Sequence, residues 1–460
     1  MTTTYQNTPY DQIKVGMEAS YERVCSADDF YVSAYASGDL NPLHLPEEDP
    51  EDDGVSKGVA PSLWVAGLIS AALGNYLPGP GTLYKSQSLH FRGRAFEGDR
   101  LIARVRVTKK LAENVVELQT TVERADGKLI VEGEAEVIAP HTSKTISAGE
   151  LPGLTVRNYK HFERLLDQAR PLAPLLTAVV VPDDHKSLGG ALLAAENTLI
   201  TPILIGPKGK IMEAADRLGK SLSECKIIDV VSERQAAAKA VAMVHEGTAQ
   251  AIMKGNLHTD VLLGQIVKHD KGLRTGVRLS HVFVMDVPGL DKLLFISDAA
   301  INIAPDLEVK VDIVQNAINL ANALGHPQPR VGILSAVETV NPKIPSTLDA
   351  AILSKMADRG QIKGGIVDGP LAMDNAIDIE AATTKGITSL VAGRADVLIV
   401  PNLESGNMLA KELAFVAHAQ VCGVVMGAQC PVILTSRADD DKARVMSCAV
   451  ALLYAASKTS

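Results

Sequence analysis

The most constraining feature of this 460-residue chain is a change in its hydrophobic pattern near residue 155. Before that point, alternating and β-branched runs are separated by turns containing Gly and Asp, a pattern typical of antiparallel strands. After it, short apolar runs alternate with Ala-rich helical stretches, which indicates a parallel sheet covered by helices. The chain is also too long for one hydrophobic core. We therefore expect an α+β domain followed by an α/β domain.

The N-terminal pattern predicts one long helix and an antiparallel sheet. Residues 61–77 are apolar on nearly every side, as expected for a buried helix. The predicted strands cover residues 86–91, 100–108, 115–123 and 128–138. Residues 1–140 form the first predicted domain, and residues 141–154, rich in Pro, Gly, Ser and Thr, form a linker.

The C-terminal pattern, over residues 155–460, predicts parallel strands with crossover helices. The predicted strands lie at 176–181, 203–205, 227–231, 249–253, 281–285, 330–334, 365–367, 395–400 and 431–434. Because this is more chain than one such sheet usually takes, we expect two parallel-sheet subdomains with a cleft between them. Subdomain I covers about 155–295 plus 428–460, and subdomain II covers about 296–427. In such sheets, ligands bind beyond the carboxyl ends of the strands.

Composition narrows the class of protein. A net charge of −9 provides no basic surface for nucleic acid, so an anionic substrate would need locally placed Arg and Lys. The five cysteines form neither a CxxC motif nor a His/Cys cluster, which predicts free thiols in a reducing cytoplasm and no metal site. No signal peptide is recognisable, and no apolar run reaches the roughly 18 residues of a membrane helix. We therefore expect a cytoplasmic protein that does not bind a membrane.

The sharpest N-terminal motif is Gly-Asp-Leu-Asn-Pro-Leu-His at residues 38–44. It places the Asp39 carboxylate and the His44 imidazole five residues apart across a turn, where they can act as a general acid/base pair. The alternative is that Asp39 and Asn41 only cap a turn and that His44 is a surface residue. Two aromatic residues just upstream and the apolar helix downstream favour a site.

Polar side chains also follow the last predicted strand. Ser436 and Arg437 end that strand, and three aspartates beginning at Asp439 open the next helix. Ser or Asp at a helix start commonly does no more than cap it. A cation there opposes the helix dipole unless an anion binds, so Arg437 indicates an anion site.

Two further segments are candidates for holding an anion. Lys254 and Gly255 follow a predicted strand, and Asn407 with Lys411 marks a predicted helix start. The alternatives are a solvated lysine and a simple capped helix. The chain lacks G-x-x-x-x-G-K-[ST], a G-x-G-x-x-G after a strand, and G-x-S-x-G. These absences argue against a nucleotide-triphosphate motor, a dinucleotide dehydrogenase and a serine hydrolase.

The Gly-Asp-x-Asn-Pro-x-His string resembles the signature of MaoC-like (R)-specific enoyl-CoA hydratases, and the resemblance covers roughly residues 10–140. It implies a hot-dog fold, in which an antiparallel sheet wraps a long helix. It implies that Asp39 and His44 hold the water that adds to C3 of a trans-2-enoyl-CoA, with Asn41 in the substrate site. Backbone N–H groups near the helix start would polarise the thioester carbonyl. The acidic residues between 45 and 58 depart from the family pattern.

Residues 155–460 resemble the phosphate acetyl/butyryltransferase family along nearly their whole length. The matching segments are MKGNLHTD from Met253, RTGVRLSHVFVM from Arg274, SAVETVNPK from Ser335, VDGPLAMDNA from Val367, PNLESGNMLAK from Pro401 and LTSRAD from Leu434. The resemblance implies that CoA and acyl phosphate bind together between two α/β subdomains. It places Ser436 and Arg437 in the site, with Lys254 or Arg274 as a further phosphate contact.

The position of the catalytic base stays open. In the acetyltransferases an aspartate a few residues after the arginine acts on the CoA thiol. Here Asp439 matches the butyryltransferase pattern, whereas Lys442 and Ala443 stand near the acetyltransferase position.

Together the two resemblances imply a bifunctional enzyme of CoA thioesters. Its substrates would be enoyl-CoA or acyl-CoA, CoA, inorganic phosphate and acyl phosphate, with no permanently bound cofactor. The alternative is a transferase alone, with the hot-dog domain as a non-catalytic module for acyl-CoA sensing or dimerisation. A weaker alternative is a C-terminal domain that keeps the fold without activity, against which the Ser436-Arg437 pair argues. Both families imply a homodimer or a higher homo-oligomer.

Overall fold

The structure, a computed structural model, describes residues 4–45, 57–147, 154, 156–157, 159–434 and 441–458. Its contacts divide the chain into an N-terminal unit, Met1–Val156, and a C-terminal unit, Arg157–Ser460. Each unit has a hydrophobic core of its own.

The N-terminal unit combines an antiparallel sheet with a long helix. Its elements are β1 Thr4–Gln6, β2 Glu18–Val24, α1 Ala27–Ser37, α2 Ser62–Asn75, β3 Leu83–Gln87, β4 His90–Phe91, β5 Arg100–Lys110, β6 Val115–Arg124, β7 Leu129–Ile138 and β8 Thr145–Ser147. The sheet order is β2-β5-β6-β7-β3, and β4 also pairs with β7. The predicted helix and the four predicted strands are confirmed, except that residues 86–91 are divided between β3 and β4.

The sheet packs on one side of α2. The helix buries Val65, Leu68, Ile69, Ala72 and Leu73, which recur at the three- and four-residue spacing of one helix face. Alternate residues of β5 are buried as well, as expected for a strand with one face towards the core. The helix is therefore buried on one side only, and not on most sides as its apolar composition suggests.

Part of the predicted linker is a strand. β8 pairs antiparallel with β1, so residues 145–147 lie beside residues 4–6. Composition could not indicate this strand, because its three residues are too short a run to show alternation.

The C-terminal unit alternates strands and helices. Its strands are β9 Leu175–Val180, β10 Ile200–Gly206, β11 Lys226–Asp229, β12 Ala251–Lys254, β13 Ser280–Asp286, β14 Leu294–Ser297, β15 Arg330–Leu334, β16 Ile366–Leu371, β17 Val397–Ile399, β18 Gln420–Met426 and β19 Val432–Ile433. Its helices are α3 Lys160–Ala169, α4 His185–Glu196, α5 Lys208–Leu218, α6 Glu233–His245, α7 Thr259–Ile266, α8 Leu307–Ala323, α9 Pro345–Asp358, α10 Met373–Ile377, α11 Ile379–Thr384, α12 Leu403–Phe415 and α13 Asp441–Ser457.

These strands form one mixed sheet in the order β11-β10-β9-β12-β19-β18-β13-β14-β17-β15-β16. The first block consists of neighbouring parallel strands, β11, β10, β9, β12 and β19. The second block also consists of parallel strands, β14, β17, β15 and β16. Between the blocks, β18 and β13 pair antiparallel with each other and with their outer neighbours. The prediction of two separate parallel sheets is therefore wrong in this respect. The sequence pattern did not indicate β14 or β18, and both take part in the antiparallel junction.

The two faces of this sheet differ. On one face, a single core runs across both blocks and includes Val179 of β9 and Val331 of β15. The other face, called the divided face below, carries two separate cores. One includes Ile252 of the first block together with Val425 of the junction strand β18, and the other includes Leu398 of the second block. On the divided face, the two cores therefore meet at the junction strands, where β18 contributes Val425 to the first core and β13 contributes Met285 to the second.

Candidate functional sites

The N-terminal candidate site is built by the turn that follows α1. That helix ends at Gly38, whose φ of 74° suits glycine, and a 3-10 helix follows over Pro42–His44. The turn places His44 Nε2 3.9 Å from Asp39 Oδ2. The Asp39 side chain is 54% exposed and the His44 side chain 14%, so the carboxylate is open to solvent and the imidazole is largely buried.

A backbone carbonyl orients the imidazole. His44 Nδ1 lies 2.9 Å from the carbonyl oxygen of Val59. Because that oxygen can only accept, Nδ1 carries the proton, and Nε2 of the neutral ring presents its lone pair. The 3.9 Å between Nε2 and the Asp39 carboxylate exceeds a direct hydrogen bond. The pair has the spacing to hold a water molecule between its two members.

Asn41 holds this turn together. Its N–H donates to Asp39 Oδ1 at 3.1 Å, and its side-chain Oδ1 accepts from the Leu43 N–H at 3.2 Å. Through these bonds Asn41 stabilises the turn that holds the Asp39 carboxylate, which agrees with the turn-capping alternative for Asn41. A contact between Asn41 and substrate stays a prediction.

The start of α2 lies next to the pair in the chain. Ser62, the first residue of α2, follows Val59 by three positions, and its N-cap Pro61 makes no side-chain cap. The first N–H groups of a helix have no partner within the helix. The bond between His44 and Val59 therefore ties the acid/base pair to a helix N-terminus that presents backbone donors.

Lys254 is fixed at the carboxyl end of β12. It is 7% exposed, and its Nζ lies 3.3 Å from the Gly255 carbonyl oxygen and 3.2 Å from that of Leu257. A Cβ on Gly255 would lie 2.5 Å from the carbonyl oxygens of Val180 and Val181, so only glycine fits at this position without a movement of the backbone. The predicted lysine therefore lies at a strand end, as expected, but it is buried and not solvated.

The structure does not bring Arg274 to the same strand end. Arg274 is exposed and forms an isolated antiparallel bridge with Ala428, just beyond β18. Because β18 runs antiparallel to β19, its carboxyl end lies beside the amino ends of β19 and β12. Arg274 is therefore at the edge where β12 begins, whereas Lys254 is at the edge where it ends.

The predicted helix start at Asn407 is wrong. The helix α12 starts at Leu403, and Asn402 caps it by accepting from the Ser405 N–H at 3.0 Å. Asn407 lies in the second turn, where its Nδ2 is 3.4 Å from the Ala299 carbonyl oxygen, and Lys411 is exposed a further turn on. The glycine before Asn407 suggested a helix start, but the capping pair lies upstream of it.

Ser436, Arg437 and Asp439 lie outside the described residues. The chain enters their segment from Leu434, after β19, and α13 begins at Asp441. Their assignment as catalytic residues stays a prediction.

Sequence reasoning missed His281, a 2% exposed residue of β13. Its ring packs edge-on against Phe283, with 4.3 Å between centroids, and its backbone N–H donates to Asp298 Oδ1 at 3.2 Å. Burial lowers the pKa of His281 to about 4, although the Asp298 carboxylate opposes the shift. Within the described part of the chain, its Nδ1 has no hydrogen-bond partner. A lone histidine in an apolar strand gives no signal of this in the sequence.

Comparison with known proteins identifies the C-terminal unit. Residues 230–452 match the family model described as Phosphate acetyl/butaryl transferase. The phosphate acetyltransferase of Rhizobium meliloti is 58% identical over 297 residues, which are 65% of this chain and 94% of that protein. This chain belongs to the phosphate acetyl/butyryltransferase family.

Two solved structures found by the comparison match different parts of this chain. A branched-chain phosphotransacylase from Enterococcus faecalis V583 is 30% identical, covers 61% of this chain and 99% of its own, and has a TM-score of 0.54. The R-hydratase PhaJ1 from Pseudomonas aeruginosa is 35% identical, covers 34% of this chain and 100% of its own, and has a TM-score of 0.33. The second similarity covers the N-terminal part of the chain.

The family match includes Lys254, His281 and the segment that contains Ser436 and Arg437. The Asp39–His44 pair lies outside it. Among the helices of the described residues, none has the length and apolar character to cross a membrane.

Proposed function

We propose that this family member transfers an acyl group between CoA and phosphate, in the reaction acyl-CoA + phosphate ⇌ acyl phosphate + CoA. The observation that carries this proposal is the family membership, supported by 58% identity over nearly the whole length of the Rhizobium meliloti acetyltransferase. CoA and phosphate are substrates, and the reaction needs no permanently bound cofactor. The acyl group is a short one, acetyl or butyryl.

In the direction of acyl-CoA synthesis, the CoA sulfur attacks the carbonyl carbon of the acyl phosphate. The C–S bond forms, the C–O bond to phosphorus breaks, and phosphate leaves. A free thiol has a pKa of about 8.5, so only a few per cent is thiolate at neutral pH. A base near the thiol therefore speeds the reaction, and Asp439 is our candidate for it.

The anionic phosphate needs cations in a chain whose net charge is −9. Arg437 is the first candidate, since a guanidinium can hold phosphate through two parallel hydrogen bonds. Lys254 is the second, because its burial at a strand end fixes the ammonium and lowers the screening by water. Ser436 would donate a hydrogen bond to the oxyanion that develops on the acyl carbonyl.

The test is Ser436→Ala, with Ser457→Ala near the end of α13 as the matched control. Losing one oxyanion donor typically raises the barrier by about 2.7–4 kcal/mol, a fall in kcat of roughly 100- to 1000-fold. Phosphate-dependent release of CoA from butyryl-CoA measures it. The role of Ser436 is refuted if Ser436→Ala transfers at the rate of Ser457→Ala.

We infer a second activity, the reversible hydration of a short trans-2-enoyl-CoA, for the N-terminal unit. The supporting observation is the 3.9 Å spacing between His44 Nε2 and the Asp39 carboxylate, with the ring oriented by Val59. A water held between them would lose its proton to one member of the pair as its oxygen adds to C3, while a proton is delivered to C2. The N–H groups at the start of α2, which have no partner within the helix, would hold the thioester oxygen.

The alternative is an N-terminal unit that senses acyl-CoA or forms a homodimer or larger homo-oligomer without catalysis. Asp39→Asn separates the two proposals, with the exposed Asp11→Asn as control. Hydration is measured as the fall in crotonyl-CoA absorbance. This fall should be absent in Asp39→Asn and present in Asp11→Asn. If the wild-type chain transfers acyl groups but leaves crotonyl-CoA unchanged, the hydration proposal is wrong and the alternative stands.

A further inference from the structure

Two exposed arginines lie four residues apart on the loop that leads into β13. Among the described residues, neither Arg274 nor Arg278 has a carboxylate at ion-pair distance from its guanidinium. Because the chain carries 54 acidic and only 45 basic residues, two such arginines are a local excess of positive charge. The loop is held in place by Thr275, whose Oγ1 donates to the Gly427 carbonyl oxygen at 2.7 Å.

A buried amide orients the Arg278 side chain. The Arg278 Nε donates to Asn302 Oδ1 at 3.0 Å. Asn302 is 4% exposed, and its Nδ2 donates to the Leu279 carbonyl oxygen at 2.8 Å and to Asp298 Oδ2 at 2.5 Å. Since these two bonds use both hydrogens of the amide, the amide oxygen is fixed towards Arg278.

A buried carboxylate holds this amide in turn. Asp298 is 2% exposed, and its two oxygens accept four backbone N–H groups at 2.9–3.2 Å, those of His281, Ala300, Ile301 and Asn302. Two buried polar side chains therefore orient one exposed guanidinium. Its Nη1 and Nη2 atoms have no partner in the part of the chain that the structure describes. They form the planar fork that can hold a phosphate group through two parallel hydrogen bonds.

Arg278 lies where the strands of the second block end. The N–H of His281, near the start of β13, reaches Asp298, which directly follows β14. Because β14, β17, β15 and β16 are parallel, their carboxyl ends share this edge of the sheet. Ligands of open α/β sheets bind beyond the carboxyl ends of the strands. The position of Arg278 is therefore one at which a ligand is expected.

A phosphate group at Arg278 is not the one proposed above to contact Lys254. The register sets His281 level with Val425, Val432 and Ile252 in turn. Arg278 precedes that level by three residues and Lys254 follows it by two, so they are roughly 17 Å apart along the strands. They are also three strand spacings, about 14 Å, apart across the sheet. One phosphate ion cannot contact both cations.

We propose that the Arg278 guanidinium binds a phosphate group of CoA, end-on through Nη1 and Nη2. This proposal rests on the acyl transfer proposed above, which makes CoA a substrate. CoA carries a diphosphate bridge and a 3′-phosphate, and its pantetheine arm separates them from the thiol. It can therefore place phosphate at one part of the unit while its sulfur reacts at another.

The test measures KM values in phosphate-dependent acyl transfer by the full-length chain. The varied substrates are acetyl-CoA, acetyl-dephospho-CoA, which lacks the 3′-phosphate, and inorganic phosphate. Arg278→Gln removes the charge and the fork, whereas Arg278→Lys keeps the charge without the fork. Arg359→Gln is the matched control, because Arg359 is an exposed arginine at the end of α9.

In Arg278→Gln, KM for acetyl-CoA should rise by roughly tenfold or more, as expected for lost charge-assisted hydrogen bonds, and KM for phosphate should not change. Arg278→Lys should recover only part of the affinity, and Arg359→Gln should match the wild-type chain. If the bound group is the 3′-phosphate, Arg278→Gln leaves KM for acetyl-dephospho-CoA unchanged. If it is the diphosphate bridge, that KM rises as much as KM for acetyl-CoA.

Two results would overturn the CoA assignment and leave acyl transfer intact. One is a rise in KM for inorganic phosphate alone, which would assign Arg278 to that ion. The other is a set of KM values in Arg278→Gln equal to those in Arg359→Gln. Absence of transfer by the wild-type chain would instead overturn the proposed acyl transfer, and the role of Arg278 with it.

Discussion

Gly255→Ala tests whether the site around Lys254 depends on the close approach of two chain segments. The Gly255 N–H donates to the Val180 carbonyl at 2.8 Å, and the next N–H, of Asn256, donates to the Val181 carbonyl at 2.7 Å. A methyl group on residue 255 would lie 2.5 Å from both of these oxygens. Because they are backbone atoms at the end of β9, they cannot rotate away as a flexible side chain does.

The cost has two parts. Overpacking of this kind destabilises by roughly 1–3 kcal/mol. If the segments move apart, the two hydrogen bonds weaken, and each contributes about 1 kcal/mol. We therefore expect a loss of about 2–4 kcal/mol in the free energy of unfolding of the C-terminal unit. The same movement displaces the Gly255 carbonyl, which accepts from Lys254 Nζ, so transfer activity should fall as well.

The measurement uses the full-length chain and Gly264→Ala as the matched control. Gly264 lies inside α7 with no heavy atom within 4 Å of an added Cβ, so alanine there should be neutral or stabilising by up to about 1 kcal/mol. The temperature at which transfer activity is lost reports on the C-terminal unit. Fluorescence of Trp64, the single tryptophan, reports separately on the N-terminal unit and should not change.

If Gly255→Ala and Gly264→Ala lose transfer activity at the same temperature and have equal rates below it, the site around Lys254 does not depend on this close approach. A shift in Trp64 fluorescence that follows Gly255→Ala would also contradict the prediction, because the two units have separate cores.

Two further outcomes are expected. Asn41→Ala removes the acceptor for the Leu43 N–H, so the turn loosens and the rate of hydration should fall several-fold. Asn41→Asp keeps an acceptor and should retain most of the hydration rate, and neither variant should change acyl transfer. Equal hydration rates for the wild-type chain and both variants would show that Asn41 does not support the site. In the folded chain the pKa of His281 is lowered from 6.5 to about 4, so the imidazole takes up a proton at a higher pH in the unfolded chain than in the folded chain. The stability that comes from keeping the ring neutral is fully present above about pH 6.5 and is lost as the pH falls towards 4. Denaturant unfolding across this range should show a flatter pH dependence in His281→Phe.

The N-terminal sheet could be predicted from the sequence because only one of its faces is buried. Residues 101, 103, 105 and 107 of β5 are buried while their neighbours are more exposed, so apolar and polar residues alternate along the strand. The buried face of α2 could not be predicted in the same way, because Leu63 is as apolar as Leu68 and yet 74% exposed. Which side of such a helix is covered depends on the sheet and not on the helix's own composition.

The antiparallel junction in the C-terminal sheet could not be predicted from the sequence, for a different reason. Strand β14 has only four residues, and Gly423 interrupts the apolar run of the seven-residue strand β18. The position of His281 depends on the register that sets it opposite Val425. Lys254 could be predicted at a strand end from the strand-helix alternation, but its burial depends on the packing of β12 against its neighbours.

Acyl transfer between CoA and phosphate is the activity that the family membership of this chain supports. The most direct test is the release of CoA thiol from acetyl-CoA and butyryl-CoA by the purified full-length chain, with and without inorganic phosphate. We expect thiol release that requires phosphate and saturates with the phosphate concentration, together with an equal amount of acyl phosphate. If the folded chain releases no thiol in the presence of phosphate, or releases it equally without phosphate, it is not a phosphate acyltransferase.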